Sequence, residues 1–200
     1  MFPDQGLVRI EPVLSLTELE LCRPYIEELP FESSALLGDQ PGSSQRARTS
    51  CSCLLDEGHP LALLLHSKLN TAVASYANAL RDFHPSFDSY PLPGASAVAS
   101  WRESMQVLRY FPGQSYVFHT DTDFERSRES FYRVLTVILY LNGDFAGGET
   151  EFVTRKVKPD PGSALVFPSN WCFPHAGCPV LEGVKYALVT WYHAYPYKDQ

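Results

Sequence analysis

The hydrophobic pattern of the chain changes near its middle. In residues 59–83, apolar side chains recur every three or four positions, which predicts a long amphipathic helix with one face against a core. The apolar positions are Leu61, Leu64, Leu65, Leu69, Val73, Tyr76 and Leu80. After Met105 the pattern consists of short apolar or alternating runs separated by Pro, Gly, Asn and Asp, which is typical of strands. The predicted strands cover residues 105–111, 114–121, 132–141, 150–153, 163–168 and 184–193.

The N-terminal segment predicts a strand and a shorter helix. Residues 8–13 are rich in apolar side chains and fit a strand. Ser15 and Glu18 have the spacing of a capping box, so we expect a helix to begin directly after Ser15. Because proline cannot donate a backbone hydrogen bond within a helix, this helix is expected to end near Arg23 and Pro24.

Two segments without periodicity connect these elements. Residues 33–50 are rich in Ser, Gly, Gln and Arg and predict a surface loop, whereas residues 85–100 are rich in proline and small residues and predict a connection. Closely spaced short strands with no helices between them indicate a mainly β fold (α+β) with a closed or double-sheet architecture such as a jelly roll. The N-terminal helices are expected to pack on an outer face of it. We expect a single domain over residues 1–200, with a helical support region (1–100) and a β-core (101–200).

Composition and charge narrow the class of function. An apolar content of 44% fits a globular protein and not a disordered or fibrous chain. A net charge of −7 and a pI near 5.3 argue against a nucleic-acid partner, because phosphate binding needs a concentrated basic face. No run approaches the roughly 20 apolar residues that a membrane span needs, so no membrane partner is expected.

The N-terminus and the cysteines predict a cytoplasmic protein. Residues 1–6 lack both the basic and the apolar region of a secretory signal. The chain has an odd number of cysteines and is large enough to fold without disulfides, so we expect free thiols in a reducing compartment. The cysteines are Cys22, Cys51, Cys53, Cys172 and Cys178.

A candidate metal site lies at the end of a predicted strand. His119 and Asp121 are two positions apart, so their side chains point to the same face of the strand. His175, much later in the chain, would complete a set of two imidazoles and one carboxylate, which suits non-haem iron(II) and leaves coordination positions open. A His-x-Asp pair alone is common by chance, so its meaning depends on the surrounding sequence.

An ordered series of motifs surrounds these three residues. Its members are Gln106, Tyr110, Gly113, Gln114, Tyr116, His119, Asp121, Arg133, Thr136, Tyr140, Leu141, Asn142, Gly147, Gly148, Glu149, Thr150, Phe152, Pro161, Gly162, Phe167, His175, Cys178, Pro179, Gly183 and Lys185. The series resembles the prolyl 4-hydroxylase branch of the 2-oxoglutarate oxygenases, in that family's order over nearly the whole C-terminal half. The resemblance implies a double-stranded β-helix of the jelly-roll type. Residues 48–50 (Arg-Thr-Ser) extend the resemblance weakly toward the N-terminus.

The resemblance implies that His119, Asp121 and His175 hold iron(II), and that Lys185 pairs with the distal carboxylate of 2-oxoglutarate. A dicarboxylate inside a β-barrel needs its distal charge matched, because an unpaired buried charge is very costly. Residues 186–189 are apolar apart from one tyrosine hydroxyl, so Lys185 is expected to be buried and to need a partner. A solvent-facing lysine, which is the commoner situation in a strand, fits these neighbours less well.

Further residues of the co-substrate pocket follow from the same resemblance. Tyr110 and Thr150 match positions whose hydroxyls help to hold 2-oxoglutarate, and Tyr116 is expected beside the same pocket. The implied cofactors are iron(II), 2-oxoglutarate as co-substrate and dioxygen, with ascorbate as an additional reductant.

The family's substrate groove matches Glu103, Arg133, Trp191 and His193. Alternate residues of the strand 184–193 share one face, which would put Lys185 at the pocket floor and His193 near its mouth. Glu103, Arg133 and His193 would then meet the backbone of a proline-containing peptide or protein, while Trp191 walls the site. Each of these residues could otherwise be an ordinary surface charge or core aromatic.

Some positions depart from the family's pattern, and one segment can be interpreted in two ways. Residues 168–174, just before His175, differ from the commoner acidic or serine-bearing approach, and Tyr186 stands where many relatives carry tryptophan. Residues 122–132 are polar and correspond to a mobile flap in the family, although a charged loop can also be simply solvated. The secretory features of the animal collagen enzymes are missing, which makes collagen an unexpected substrate.

The function implied is hydroxylation of a C–H bond, with peptidyl proline as the expected target and succinate and CO2 as co-products. The same chemistry on a free amino acid, another small molecule or another side chain is the first alternative. A catalytically silent β-barrel used for binding is the second, and the intact set of His119, Asp121, His175 and Lys185 argues against it.

Overall fold

The computed structural model describes residues 6–34, 48–81, 102–122 and 133–193. Its helices are α1 (Leu16–Glu27) and α2 (Pro60–Arg81). Its strands are β1 (Val8–Ile10), β2 (Glu32–Ser33), β3 (Cys51–Leu54), β4 (Gln106–Tyr110), β5 (Tyr116–His119), β6 (Arg133–Tyr140), β7 (Phe145–Gly147), β8 (Thr150–Phe152), β9 (Lys156–Val157), β10 (Ala164–Pro168), β11 (His175–Gly177), β12 (Val180–Gly183) and β13 (Lys185–His193). The predicted connection at 85–100, most of the predicted loop at 33–50 and nearly all of the segment 122–132 lie outside the described residues.

The strands form two main antiparallel sheets. The larger sheet has the order β1-β10-β6-β13-β4-β3-β2, and the smaller one has the order β5-β11-β8-β9. A third pair joins β12 to β7. Every predicted strand has a counterpart among these elements, so the prediction of a mainly β fold with N-terminal helices is confirmed. The N-terminal half is more than a helical support, because it also contributes β1, β2 and β3 to the larger sheet.

Helix α1 begins as predicted but ends later. Ser15 caps its N-terminus, and the reciprocal bonds between Ser15 and Glu18 form the predicted capping box. The expected end near Arg23 and Pro24 is wrong, since the helix continues to Glu27. A proline removes one hydrogen bond without preventing the next turn, in which the amide of residue 28 donates to the carbonyl of Pro24 at 3.2 Å.

Helix α2 packs its apolar stripe against one face of the larger sheet. Leu61, Leu65, Leu69 and Tyr76 are fully buried and join Leu188 of β13 in the main core. Leu64 was predicted to lie on this apolar face, and that prediction is wrong because its side chain is 45% exposed. Burial of this face supplies the apolar contacts that hold the helix on the sheet.

The opposite face of the larger sheet looks toward the smaller sheet. On β13, Leu188 and Tyr192 face the helices, whereas Lys185, Ala187 and Trp191 line a cavity between the sheets. This alternation follows from the two-residue period of a strand. The long central strand therefore carries core residues on one side and candidate functional residues on the other.

The structure also bears on the state of the cysteines and on membrane-spanning helices. All five cysteines are free thiols. Among the residues described, neither helix combines the length and the hydropathy that crossing a membrane would require.

Candidate active site

The side chains of His119, Asp121 and His175 meet at one point. Strand β5 ends with His119 and β11 begins with His175, and the two residues are direct partners in antiparallel register. Asp121 is buried, and its carboxylate oxygens lie 3.6 Å from Nε2 of His119 and 3.7 Å from Nε2 of His175. Ligand atoms of all three residues lie within 4.8 Å of one another. Two imidazole nitrogens and a carboxylate so close together fit non-haem iron(II).

The hydrogen bonds of both imidazoles leave Nε2 available to a metal. Nδ1 of His119 donates to the carbonyl of Val117 at 2.9 Å, and Nδ1 of His175 donates to the carbonyl of Phe173 at 3.2 Å. Burial lowers the pKa of His175, which favours the neutral ring that a metal needs. Burial alone would raise the pKa of Asp121, but the two imidazoles and a neighbouring hydroxyl hold that pKa well below its usual range.

Strand β6 orients the carboxylate of Asp121. The hydroxyl of Thr136 donates to Oδ2 of Asp121 at 2.6 Å and lies 3.0 Å from the hydroxyl of Ser169. Nη1 of Arg133 donates to the backbone carbonyl of Asp121 at 3.0 Å. Both the side chain and the backbone of this candidate ligand are therefore held in place before any metal binds.

Replacing Thr136 with valine is expected to weaken iron(II) binding about tenfold, because the carboxylate of Asp121 loses the hydroxyl that orients it. Anaerobic titration with iron(II) measures this affinity directly. Thr136→Ser keeps the hydroxyl and is expected to bind iron nearly as well as the unmodified protein. Equal affinity in the valine variant would mean that the contact does not organise the site.

Lys185 lies at the inner end of the cavity. Its side chain is 5% exposed, and Nζ donates to the backbone carbonyl of Gly148 at 2.6 Å. The rings of Tyr110 and Tyr140 lie 5.4 and 5.5 Å from the same nitrogen. Gly148 has a positive φ of 67°, which suits glycine, and a Cβ there would lie 3.0 Å from the lysine side chain. Lys185 is therefore buried, as expected from its neighbours, with a carbonyl and two aromatic rings around its ammonium group.

Burial lowers the pKa of Lys185 to about 8, since the charged form is desolvated in the cavity. The ammonium form predominates below that pKa and the neutral amine above it. If Lys185 pairs with a carboxylate of 2-oxoglutarate, the KM for 2-oxoglutarate should rise about tenfold between about pH 7 and about pH 9. Lys185→Arg, which stays charged throughout this range, is the control and should show a flatter profile. Parallel profiles in the two proteins would contradict the pairing.

A cavity of about 300 Å³ contains both the histidine–aspartate cluster and Lys185. All but two of the predicted site residues line it, namely Tyr110, Tyr116, His119, Asp121, Arg133, Thr150, His175, Lys185 and Trp191. Glu103 and His193 are not among the lining residues. The candidate metal ligands and the candidate co-substrate partner thus share one cavity between the sheets.

The predicted hydroxyl-bearing residues Tyr110, Tyr116 and Thr150 all line the cavity. Tyr110 is the cross-strand partner of Lys185, and the hydroxyl of Thr150 lies 2.7 Å from that of Tyr140. The ring of Tyr116 stacks on His119 with 3.7 Å between centroids. Tyr140 belongs to the motif series but was not predicted as a site residue, although its buried ring lies 5.5 Å from Nζ of Lys185.

Arg133 connects the cavity to the two predicted residues that lie outside its lining. Its guanidinium donates to both carboxylate oxygens of Glu103, at 2.6 and 2.7 Å, and lies 3.7 Å from the ring centroid of Trp191. His193 is buried, with Nε2 2.9 Å from Glu103. Burial would raise the pKa of Glu103, yet hydrogen bonds from His193 and Arg133 lower it, so this carboxylate is ionised at neutral pH.

Comparison with known proteins agrees with this geometry. Residues 105–193 match the family model described as the 2OG-Fe(II) oxygenase superfamily. A relative from Acanthamoeba polyphaga mimivirus, whose name assigns it provisionally to the prolyl 4-hydroxylases, is 30% identical over 185 residues, covering 83% of this chain and 67% of the relative. The chain belongs to the 2OG-Fe(II) oxygenase superfamily. Members of this superfamily use iron(II), 2-oxoglutarate and dioxygen, so these three predicted cofactors are confirmed for the family. Ascorbate stays a prediction.

Other relatives match this oxygenase over shorter stretches. Prolyl 4-hydroxylase 2 of Arabidopsis thaliana is 34% identical over 124 residues, which are 46% of this chain and 41% of the plant protein. The oxygenase therefore spans between less than half and about two thirds of the length of these curated relatives. The candidate ligands and Lys185 lie within the range of the family match.

Solved structures show the same fold. A viral collagen prolyl hydroxylase from Paramecium Bursaria Chlorella virus-1 in complex with 2OG has a TM-score of 0.60 at 22% identity, covering 93% of this chain and 94% of that one. A Trichoplax adhaerens prolyl hydroxylase in complex with a peptide fragment of hypoxia inducible factor has a TM-score of 0.68 at 20% identity, covering 95% and 84%. The predicted double-stranded β-helix is confirmed.

Proposed function

We propose that this oxygenase hydroxylates proline residues within a peptide or protein, using iron(II), 2-oxoglutarate and dioxygen. The observation that carries the proposal is one cavity with His119, Asp121 and His175 on its wall and buried Lys185 at its inner end. Few other functions would use a two-histidine, one-carboxylate cluster next to a desolvated ammonium group.

Bound iron would couple decarboxylation of 2-oxoglutarate to hydroxylation, with one oxygen atom entering succinate and the other entering the substrate C–H bond. The protein's own contribution is to bind and orient. Lys185 supplies a positive charge for the distal carboxylate of the co-substrate, and Tyr110 and Thr150 line the same region. The apolar side chains of Leu108, Ala187 and other lining residues exclude water around these groups.

A peptide substrate is supported by the residues around Arg133. Its guanidinium is fixed by Glu103 and Trp191, so a planar donor group is held rigidly at the cavity wall. The indole nitrogen of Trp191 is buried and has no hydrogen-bond acceptor in the described part of the chain, so a backbone carbonyl of a bound peptide would satisfy it. We propose that Glu103 and His193 contribute indirectly, by holding Arg133.

A polyproline II segment suits such a site, because its φ angles are already restricted and its backbone groups are free to bond. Arg133→Ala is expected to reduce kcat/KM for a proline-rich peptide by about tenfold or more. Uncoupled decay of 2-oxoglutarate, measured as succinate formed without peptide, should fall less than peptide turnover, because Arg133 touches the metal site only through the backbone carbonyl of Asp121. Arg133→Lys is the matched variant, and it should recover only part of the loss because lysine cannot form the bidentate pair with Glu103.

The proposal fails if no peptide in a proline-rich panel is hydroxylated while free proline or another metabolite is. In that case the Arg133 variants should lose no more turnover of the metabolite than they lose of uncoupled 2-oxoglutarate decay. Arg23→Ala, on the outer surface of α1, controls for nonspecific effects of removing an arginine.

A further inference from the structure

We propose that Trp171 forms a second substrate contact outside the cavity, on which a proline several residues away from the target proline packs. The inference rests on the proposed function and extends it to the length of peptide that the protein recognises. It concerns residues 168–174, the segment in which the sequence departs from the pattern of the family.

The turn that carries Trp171 is tied to the metal site at both ends. At its start, the Ser169 amide donates to the carbonyl of Val134 at 3.0 Å, and the Ser169 carbonyl accepts from the amide of Thr122 at 3.1 Å. The Ser169 hydroxyl lies 3.0 Å from the Thr136 hydroxyl, which is itself bonded to Asp121. At its end, the turn leads directly into β11 and His175. The turn therefore lies beside the candidate metal ligands.

Local contacts hold this turn in one conformation. The amide of Cys172 donates to the side chain of Asn170 at 3.0 Å, and the amide of Phe173 donates to the Asn170 carbonyl at 3.1 Å. Phe173 points inward, with its ring 6.3 Å from that of Phe167. Trp171, by contrast, is 79% exposed. The turn thus presents an indole to solvent while its neighbours are fixed.

An exposed tryptophan on a rigid support loses little conformational entropy when a partner covers it, and tryptophan is enriched among the residues that dominate binding energy. The face of an indole suits a proline ring, and proline-rich segments dock on aromatic surfaces in the polyproline II conformation. A proline is therefore the occupant that agrees both with the chemistry of Trp171 and with the proposed substrate.

The position of the turn sets the distance between the two contacts. The Thr136 hydroxyl lies 2.6 Å from the Asp121 carboxylate and 3.0 Å from the Ser169 hydroxyl. Trp171 is two Cα steps of about 3.8 Å beyond Ser169, so its Cα lies within about 16 Å of that carboxylate. A polyproline II segment advances about 3.1 Å per residue. A proline about three to five residues from the target would consequently reach the indole, whereas a peptide of about three residues would not.

The test compares nested proline-rich peptides of increasing length on Trp171→Ala and Trp171→Phe variants. For a peptide of about ten residues, Trp171→Ala is expected to raise KM about tenfold with kcat and the KM for 2-oxoglutarate unchanged. For a peptide of about three residues centred on the target, KM should not change. Trp171→Phe should keep most of the long-peptide affinity. Leu181→Ala removes another exposed apolar side chain, on β12, and serves as the control.

Equal effects on long and short peptides, or no effect on either, would overturn the inference. It would also be overturned if Trp171 proved to be buried between two copies of the chain, seen as a self-association that Trp171→Ala abolishes without changing the KM for peptide. Fluorescence anisotropy of labelled peptides measures binding without turnover. Length-dependent weakening by Trp171→Ala in that assay, with no hydroxylation, would support the contact while rejecting the proposed function. No binding of any proline-rich peptide would reject both.

Discussion

Replacement of His175 by alanine is expected to lower iron(II) affinity about 100-fold or more and to abolish iron-dependent succinate formation. Loss of a single residue that supports a ligand already costs about 10- to 100-fold in affinity, and His175 would be a ligand itself. Its Nε2 lies 3.7 Å from Asp121, and its Nδ1 donates to the backbone carbonyl of Phe173. Nε2 is therefore the nitrogen that faces the cluster.

The measurement is anaerobic titration with iron(II), followed by succinate release in air. His59→Ala is a suitable control, because His59 accepts a hydrogen bond from the amide of Leu61 at the start of α2, far along the chain from the cluster. We expect that variant to keep its iron affinity, even if it is less stable. Full activity in the His175 variant, or an unchanged iron affinity, would show that the metal binds elsewhere.

Replacement of Lys185 by alanine is expected to raise the KM for 2-oxoglutarate by roughly 30-fold or more, since loss of a charge-assisted contact costs about 2–3 kcal/mol. The contact should be strong because Lys185 is 5% exposed, which leaves little water to screen it. Iron affinity should stay close to that of the unmodified protein, because the lysine belongs to the inner end of the cavity and not to the histidine–aspartate cluster.

The matched control is Lys158→Ala, which removes an exposed lysine. The KM for 2-oxoglutarate is obtained from succinate formation at saturating iron, and iron affinity from a separate anaerobic titration. A KM unchanged in the Lys185 variant would mean that another group receives the distal carboxylate. A parallel loss of iron affinity would mean that the substitution disturbs the whole cavity.

The longer elements of the fold could be predicted because their patterns are local. The period of α2 and the apolar runs of β6 and β13 are visible in the sequence, and the structure has all three. Six of the short strands could not be predicted in this way, namely β2, β3, β7, β9, β11 and β12. Strand β11 is only three residues long, and the pairing that defines it shifts register between His175 and Gly177. Such a strand exists because of its partners and not because of its own composition.

The arrangement at the end of β13 shows the limit of reasoning from alternation. Strand period alone puts His193 on the cavity face with Lys185 and Trp191. The register of β13 against β6 shifts between Tyr192 and His193, and His193 lies buried against Glu103 instead of lining the cavity. A single irregularity in pairing is enough to change the surroundings of a side chain.

In the candidate site, too, some features could be predicted from the sequence and others could not. The ligand set and Lys185 could be expected from a motif series that resembles a known family, with His119 and Asp121 two positions apart. The carbonyl of Gly148 as a partner of Lys185, and the hydroxyl of Thr136 as a partner of Asp121, could not. Both contacts join residues that are distant in sequence, and a backbone carbonyl carries no sequence signal of its own.

The most direct test of the central claim is to locate the oxygen atom that the protein adds. The protein is incubated with iron(II), 2-oxoglutarate, dioxygen and a panel of proline-rich peptides, and the products are fragmented by mass spectrometry while succinate is quantified. We expect hydroxylation on proline, one succinate for each hydroxylated residue above the uncoupled background, and loss of both signals in His175→Ala. Unmodified peptides throughout the panel, with succinate formation stimulated instead by a free amino acid or another metabolite, would contradict the claim.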